Sequence, residues 1–377
     1  MTVKLVRLGD VCEVVSGSTP KSNIPEYWDG EIKWITPAEL IDDSYIIYDS
    51  VRHITDLGVQ KTGLKPFPAG TVILSSRAPI GKTAIAGCEM YCNQGFKNLI
   101  CSELIDNRYL YHYLSAKTDY LNSLGRGATF KEISKSIVEN IEIPLPSLDE
   151  QRKLADQFDQ INQLISLRKM QISKLDQLVK SRFIELFGDP EQNPNGYPIK
   201  DFDEISVLIT DGEHATPRRT EKGIYLLSAR NVLNHALQLD DVDYIDEDEY
   251  ARIARRVVPQ AGDILISCSG SIGRCCVVPD GLQFQMVRSA ALIRFDDTIN
   301  PVFAEWLITS DELQRQIALS ATQSSQANLF QGKIRKLHGY VPPMELQQQF
   351  AAFVEQTDKS KFDNSAEPRQ TGIAEKP

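Results

Sequence analysis

The chain has 377 residues, 42% hydrophobic and 24% charged, with a formal net charge of −10. That length exceeds one ordinary core and calls for two or three domains in a globular, not a disordered, chain. The negative balance argues against indiscriminate coating of nucleic acid, yet leaves room for a selective reader, because what counts there is where the cations lie.

No apolar run approaches the roughly 18 to 20 residues that span a bilayer, and the start Met1-Thr2-Val3-Lys4-Leu5-Val6-Arg7 carries no hydrophobic signal segment, so a cytoplasmic location is expected. Seven cysteines, at positions 12, 88, 92, 101, 268, 275 and 276, form no Cys-x-x-Cys pair and read as buried or reduced thiols rather than a zinc site.

Residues 1 to about 146 read as mixed α/β with short strands. Thr71-Val72-Ile73-Leu74 and Asn140-Ile141-Glu142-Ile143 carry β-branched residues between turn signals. A helix is expected from Asn107 to Leu124, with a face of Leu110, Tyr113, Leu114, Tyr120 and Leu121. Pro144 and Pro146 then punctuate the chain.

The clearest local signal follows. Alternating four- and three-residue spacing links Leu154, Phe158, Ile161, Ile165, Arg168, Ile172, Leu175, Val179, Arg182 and Leu186, a coiled-coil seam of about four heptads with two arginines in it. Ser147 with Glu150 forms a capping box, and Gly188-Asp189-Pro190 stops the helix. About 40 residues make a rod of roughly 60 Å whose seam demands a partner.

Glu191 to Pro198 has linker composition, and a second mixed module runs from about 198 to 341, with a helix near Val302 to Ala318. A second rod begins at Met344; Phe350 and Val354 match Leu154 and Phe158, but Thr357 and Lys361 stand where Ile161 and Ile165 stood. The expectation is a stub of a few turns, followed by a disordered tail.

Much of this is said twice, at an offset of about 192 to 196 residues. Ala69-Gly70-Thr71-Val72-Ile73-Leu74-Ser75 returns as Ala261-Gly262-Asp263-Ile264-Leu265-Ile266-Ser267. Ile80-Gly81-Lys82 returns as Ile272-Gly273-Arg274, and Pro146-Ser147-Leu148-Asp149-Glu150-Gln151 as Pro342-Pro343-Met344-Glu345-Leu346-Gln347. Two diverged copies suit two similar targets better than one asymmetric active site.

Catalytic signatures are wanting. Ser76-Arg77-Ala78-Pro79-Ile80-Gly81-Lys82-Thr83 ends like a phosphate-binding loop, but Ser76 replaces the leading glycine and Pro79 removes an amide. What the copies share is a Gly turn presenting one cation, Lys82 or Arg274, suited to a backbone phosphate or simply solvated. The five histidines form no metal-ligand pair, and no dinucleotide or methyltransferase motif occurs. What remains are polar, basic loops carrying groups that touch phosphates and base edges. The candidates are Ser16, Ser18, Thr19, Lys21, Arg77, Lys82, Arg126, Thr129 and Lys131 in the first module, and His214, Thr216, Arg218, Arg219, Arg230, Arg274, Thr322 and Gln323 in the second. The acidic run from Asp240 to Glu249 reads as a solvated face directed away from any polyanion.

Together the parts resemble the DNA-specificity subunit of type I restriction–modification systems over nearly the whole chain. The likeness rests on Leu8-Gly9-Asp10-Val11 and Phe202-Asp203-Glu204-Ile205 leading into polar loops. It rests also on Ile141 to Gln151 with its weaker counterpart, and on the helix end Leu186-Phe187-Gly188-Asp189-Pro190. The resemblance implies two target-recognition domains of mixed α/β (α+β) class, 1–146 and 190–341, each reading half of a split DNA site. They are separated by a conserved spacer helix, 147–189, and a shortened second helix, 342–361, before a disordered tail, 362–377. It implies a non-catalytic chain acting with two methyltransferase subunits and with restriction/translocase subunits on double-stranded DNA. S-adenosylmethionine, ATP and Mg belong to those partners, and this chain holds no cofactor. The helix seam (Leu154, Phe158, Ile161, Ile165, Ile172, Leu175, Val179, Leu186, Phe350, Val354) serves helix pairing and partner subunits. A self-contained methyltransferase or nuclease, or a coiled-coil scaffold that binds only protein, are the competing readings.

Overall fold

Each repeated apolar triplet builds the central strand of a sheet. The computed structural model describes residues 4–41, 44–77, 79–127, 131–321 and 328–363. The chain falls into two units, residues 1–168 and 169–377, dividing within the long helix.

In the first unit the main sheet has the spatial order Cys12–Val15, Asn98–Cys101, Val72–Leu74, Thr83–Ala86, Ile46–Ile47. A smaller sheet sets Trp28–Ile35 between Arg52–Ile54 and Tyr91–Cys92. Lys4–Arg7 pairs antiparallel with Glu142–Leu145, so the chain enters the unit beside its exit. In the second unit the order is Ser206–Asp211, Ala290–Phe295, Ile264–Ser267, Cys275–Val277, and Ile199–Asp201 pairs with His338–Tyr340. The first four strands of the two main sheets correspond in order, so the sequence repeat is a repeat of topology.

Side chains alternate across a strand, and the triplets use both faces. Val72 and Leu74 enter one apolar cluster while Ile73 enters another. Ile264 and Ile266 likewise enter one and Leu265 another. All six are fully buried, as strands covered on both faces must be.

The expected helix from Asn107 to Leu124 is two helices, Asn107–Ser115 and Thr118–Ser123. Its counterpart is also broken, into Pro301–Ile308 and Asp311–Ala321. In both units the Gly turn docks beside the break. Gly81 (φ 93°) lies so close to Thr118 that a Cβ there would meet its Cα at 3.3 Å, and Asn122 donates to the carbonyl of Ile80. Gly273 (φ 86°) abuts Gln314, which donates to the carbonyls of Gly273 and Ile308. The apolar period continues across the break, which is why periodicity alone joins the halves.

The long helix runs Leu148–Phe187. The Ser147–Glu150 capping box forms at 3.0 and 3.3 Å, and Gly188 (φ 78°) ends the helix with its N–H bonded to Ile184. In the second unit its last turns pack against the C-terminal helix Met344–Asp363. Phe350 meets Phe183 and Phe187 at 5.3 and 5.6 Å, Arg182 lies over Phe353, and Lys361 pairs with Asp176 at 2.8 Å. Rising numbers on one helix meet falling numbers on the other, so the pairing is antiparallel. Thr357, where the apolar match lapses, is nonetheless buried, its hydroxyl bonded to Phe353 O. The second helix therefore keeps its inward face through Lys361 and runs two residues past the expected 361; residues 364–377 lie outside the described residues.

All seven cysteines are free, and burial pushes the thiols of Cys92, Cys268 and Cys276 up to about 12. Among the described residues no helix is long and apolar enough to cross a membrane.

Candidate nucleic-acid interface

The first polar loop is clamped from beneath. Gly17 passes so close to Cys92 that a Cβ would sit 1.8 Å from its carbonyl oxygen, and only glycine fits there. The indole N–H of Trp34 donates to Ser18 O at 3.0 Å, and that of Trp28 to Lys21 O at 3.2 Å. The two rings stand edge to face at 5.1 Å, with the Arg52 guanidinium 3.6 Å from the Trp28 ring centre. Ser16, Thr19 and Lys21 are exposed, and Thr19 donates to Gln94 at 2.5 Å. Sequence reasoning named the loop but missed the tryptophans that shape it, since their donor bonds cross between strands and loop.

The Gly turns are structurally equivalent. Ser75 Oγ donates to Pro79 O and accepts from Lys82 N; Ser267 Oγ donates to Ser271 O and accepts from Arg274 N. Their cations differ. Half-buried Lys82 donates to Leu40 O at 2.5 Å, tying two segments of its own unit. Arg274 is exposed and has no ion pair among the described residues.

Beside the first turn, Arg77 and Arg126 both bridge to Glu132 through backbone pairing. The Glu132 carboxylate also meets Arg77 at 3.6 Å and the buried Lys97 at 3.3 Å. Arg126 and Lys131 remain exposed and make no ion pair among the described residues, and Arg126 lines an open groove of about 640 Å³ with Tyr120, Glu132, Ser134 and Asn140. Thr129 lies outside the described residues, as do Thr322 and Gln323.

The second unit overturns one expectation. Strand Arg219–Thr220 pairs with Asp243–Ile245, bringing the acidic run onto the basic loop instead of away from it. Arg218 meets both oxygens of Asp246 at 2.8 and 3.1 Å. The Asp243 carboxylate bridges Arg219 at 3.0 Å and Arg230 at 3.2 Å, and Asp241 meets Arg230 at 3.6 Å. His214 pairs with Asp211, which also takes Arg256. The amide of Glu249 is the largest influence on the Asp246 carboxyl and, helped by the hydrogen bond and charge of Arg218, holds it below the usual carboxylate range against the opposing effect of burial. Exposed Thr216 makes none of these pairs.

Each unit also seats its helix by one device. Gln151, fully buried, accepts from Asp106 N at 2.9 Å and donates to Leu104 O and Pro146 O. Gln347, fully buried, accepts from Asn300 N at 2.7 Å and donates to Thr298 O and Pro342 O. The repeated glutamine is thus an anchor that satisfies three backbone groups at once. Along the seam, Leu154, Phe158, Ile161 and Ile165 are 37 to 50% exposed, Ile172, Leu175 and Leu186 are half-buried, and Val179, Phe350 and Val354 are buried.

One topology built twice, with each copy locked to a helix and offering loops of arginine, lysine, serine and threonine, defines a tandem-module protein whose polar loops suit binding. Residues 1–177 match the family model of the type I restriction modification DNA specificity domain. It is 36% identical over 230 residues to the MjaIX specificity subunit of a type I restriction enzyme from Methanocaldococcus jannaschii, which covers 56% of this chain and 53% of that one. With the EcoprrI specificity subunit of Escherichia coli it shares 23% over 385 residues, covering 94% and 88%. The S subunit of a type I restriction-modification system from M. genitalium superposes with a TM-score of 0.58 at 13% identity, over 97% of this chain and 91% of that one. At that identity the likeness speaks for the fold, two domains with long helices. The chain spans about half the length of the MjaIX subunit.

Proposed function

We propose that this chain is the non-catalytic specificity subunit of a type I restriction–modification complex, each unit reading one half of a split DNA site. The observation that carries the reading is the duplicated module with its duplicated glutamine anchor. A fixed seat lets a stiff helix hold each reader in a set register, and half-sites about one DNA turn apart, near 34 Å, suit such a spacer. Residues 1–146 and 190–341 are the two target-recognition domains. Exposed cations such as Lys21, Arg126, Lys131 and Arg274 supply phosphate contacts, while hydroxyl and amide groups on the same loops read base edges.

Two methyltransferase subunits dock along the seam of the long helix, and restriction/translocase subunits complete the assembly in the cytoplasm. S-adenosylmethionine, ATP and Mg act in those partners. The adenine they methylate must leave the base stack to be reached.

Co-expression with a methyltransferase subunit of the same system tests the reading. Adenine methylation of a plasmid that requires this chain, with no S-adenosylmethionine binding by the chain alone, is the expected result. Methylation independent of the chain, or cofactor binding by the isolated chain, would refute it.

A further inference from the structure

The candidate cations of the two units differ in their surroundings. In the first unit Lys21, Arg126 and Lys131 are exposed and make no ion pair among the described residues. In the second, Arg218, Arg219 and Arg230 are each engaged by Asp243 or Asp246 at 2.8 to 3.2 Å, although their side chains are 46 to 64% exposed. The pairs follow from topology, because the strand carrying Arg219 pairs with the strand carrying Asp243. A guanidinium fork binds carboxylate and phosphate with the same donors, so one excludes the other. Exposed pairs of this kind are weak enough for a polyanion to displace.

We propose that Asp243 and Asp246 are specificity-determining residues of the second unit. Their carboxylates occupy Arg218, Arg219 and Arg230 in place of DNA phosphate, so these arginines engage DNA only where a matched sequence supplies further contacts. The acidic side chains suppress binding to random sequence and leave the cognate complex with the larger share of the affinity. A chain of net charge −10 that must search a genome gains discrimination from this arrangement. The proposal rests on the DNA-reading function stated above.

The test compares full-length chain, wild type and Asp243→Asn/Asp246→Asn, on a random-sequence duplex across a salt series. Asparagine at 246 keeps the helix cap that Asp246 gives to Glu249, so the fold is retained and melting checks it. The expected result is binding tighter by about three- to tenfold, with the slope of log K against log salt more negative by about 2 as Arg218 and Arg219 reach phosphate, Asp241 still holding Arg230. Two further variants isolate the cause. Asp240→Asn/Asp248→Asn removes the same charge from exposed residues that make no such pair among the described residues and leaves affinity within about twofold, as screening at exposed sites requires. Adding Arg218→Gln/Arg219→Gln to the first variant abolishes most of the gain. Wild type that binds DNA no more weakly than Asp243→Asn/Asp246→Asn, or a control variant that gains equally, overturns the proposal while the DNA-reading function stands. No duplex binding by any variant at low salt brings down both.

Discussion

The two units seat their helices with the same glutamine and then diverge completely around it. In the first unit the neighbouring turn is polar. Asp159 accepts from Tyr45 at 2.7 Å and from Arg108 at 2.9 Å, and it meets His112 at 2.7 Å. In the second unit the corresponding region is aromatic, with Phe183 and Phe187 against each other and against both Phe303 and Phe350, and Trp306 against Phe350. The comparison teaches that only the anchor must be held constant. Gln151 and Gln347 fix where the helix starts, and any well-satisfied packing then completes the seat.

If the aromatic seat is the main support of the second helix, Phe350→Ala is the most damaging change. It removes a fully buried ring from a five-membered aromatic cluster and costs about 3 to 5 kcal/mol. Chemical denaturation, followed by hydrogen exchange in Met344–Asp363, should place the loss in the second unit. A uniform loss in both units would break the view that the seats are independent.

The shared anchor is tested by Gln151→Leu and Gln347→Leu. Each leaves one backbone N–H and two carbonyls without their partner, so each costs about 1 to 3 kcal/mol. Equal losses in the two units sharpen the comparison. A loss in only one shows that the surrounding packing has taken over the anchor's role in the other.

The polar seat differs from the aromatic one in its response to acid. Burial alone would raise the Asp159 carboxyl, but the hydrogen bonds from Tyr45, His112 and Arg108 and the charge of His112 hold it below the usual carboxylate range. A carboxyl depressed in the folded state contributes stability above its unfolded pKa, about 3.9, and loses it as pH falls through the folded value. The first unit should therefore loosen around Asp106 to Asp159 below about pH 4, while phenylalanine rings do not titrate. Asp159→Asn should flatten that acid limb, and an unchanged limb would exclude Asp159 as its source.

The smallest expected effect lies at the first unit's exposed cations. Arg126→Gln or Lys131→Gln should weaken duplex binding and reduce the salt slope by about 1 each, with stability unchanged. No change in slope would remove that residue from the phosphate contacts.

How much of this was legible in the sequence depends on the span of each interaction. The duplicated strands, the Gly turns and the capping box at Ser147 are local patterns, and each appears as read. The heptad seam is right for the long helix, yet four of its ten residues lie exposed, because spacing records a helical face and not its occupant. The helix break at Ala116 and Lys117 was hidden because it is set by a turn some 35 residues upstream. The acidic run was misplaced for the same reason: strand pairing across 24 residues, from Arg219 to Asp243, sets those carboxylates against the arginines. The indoles beneath the first loop and the Asp159 cluster likewise join residues that no motif links.

The central claim is that two units read two half-sites, and its most direct measurement is a genome-wide map of methylated adenines in cells carrying this chain with its methyltransferase. The account predicts a split, asymmetric motif with a constant gap, methylated less fully but at the same sequence when Arg218 and Arg219 are replaced. A contiguous motif, or a motif that shifts as a whole with that substitution, would contradict it.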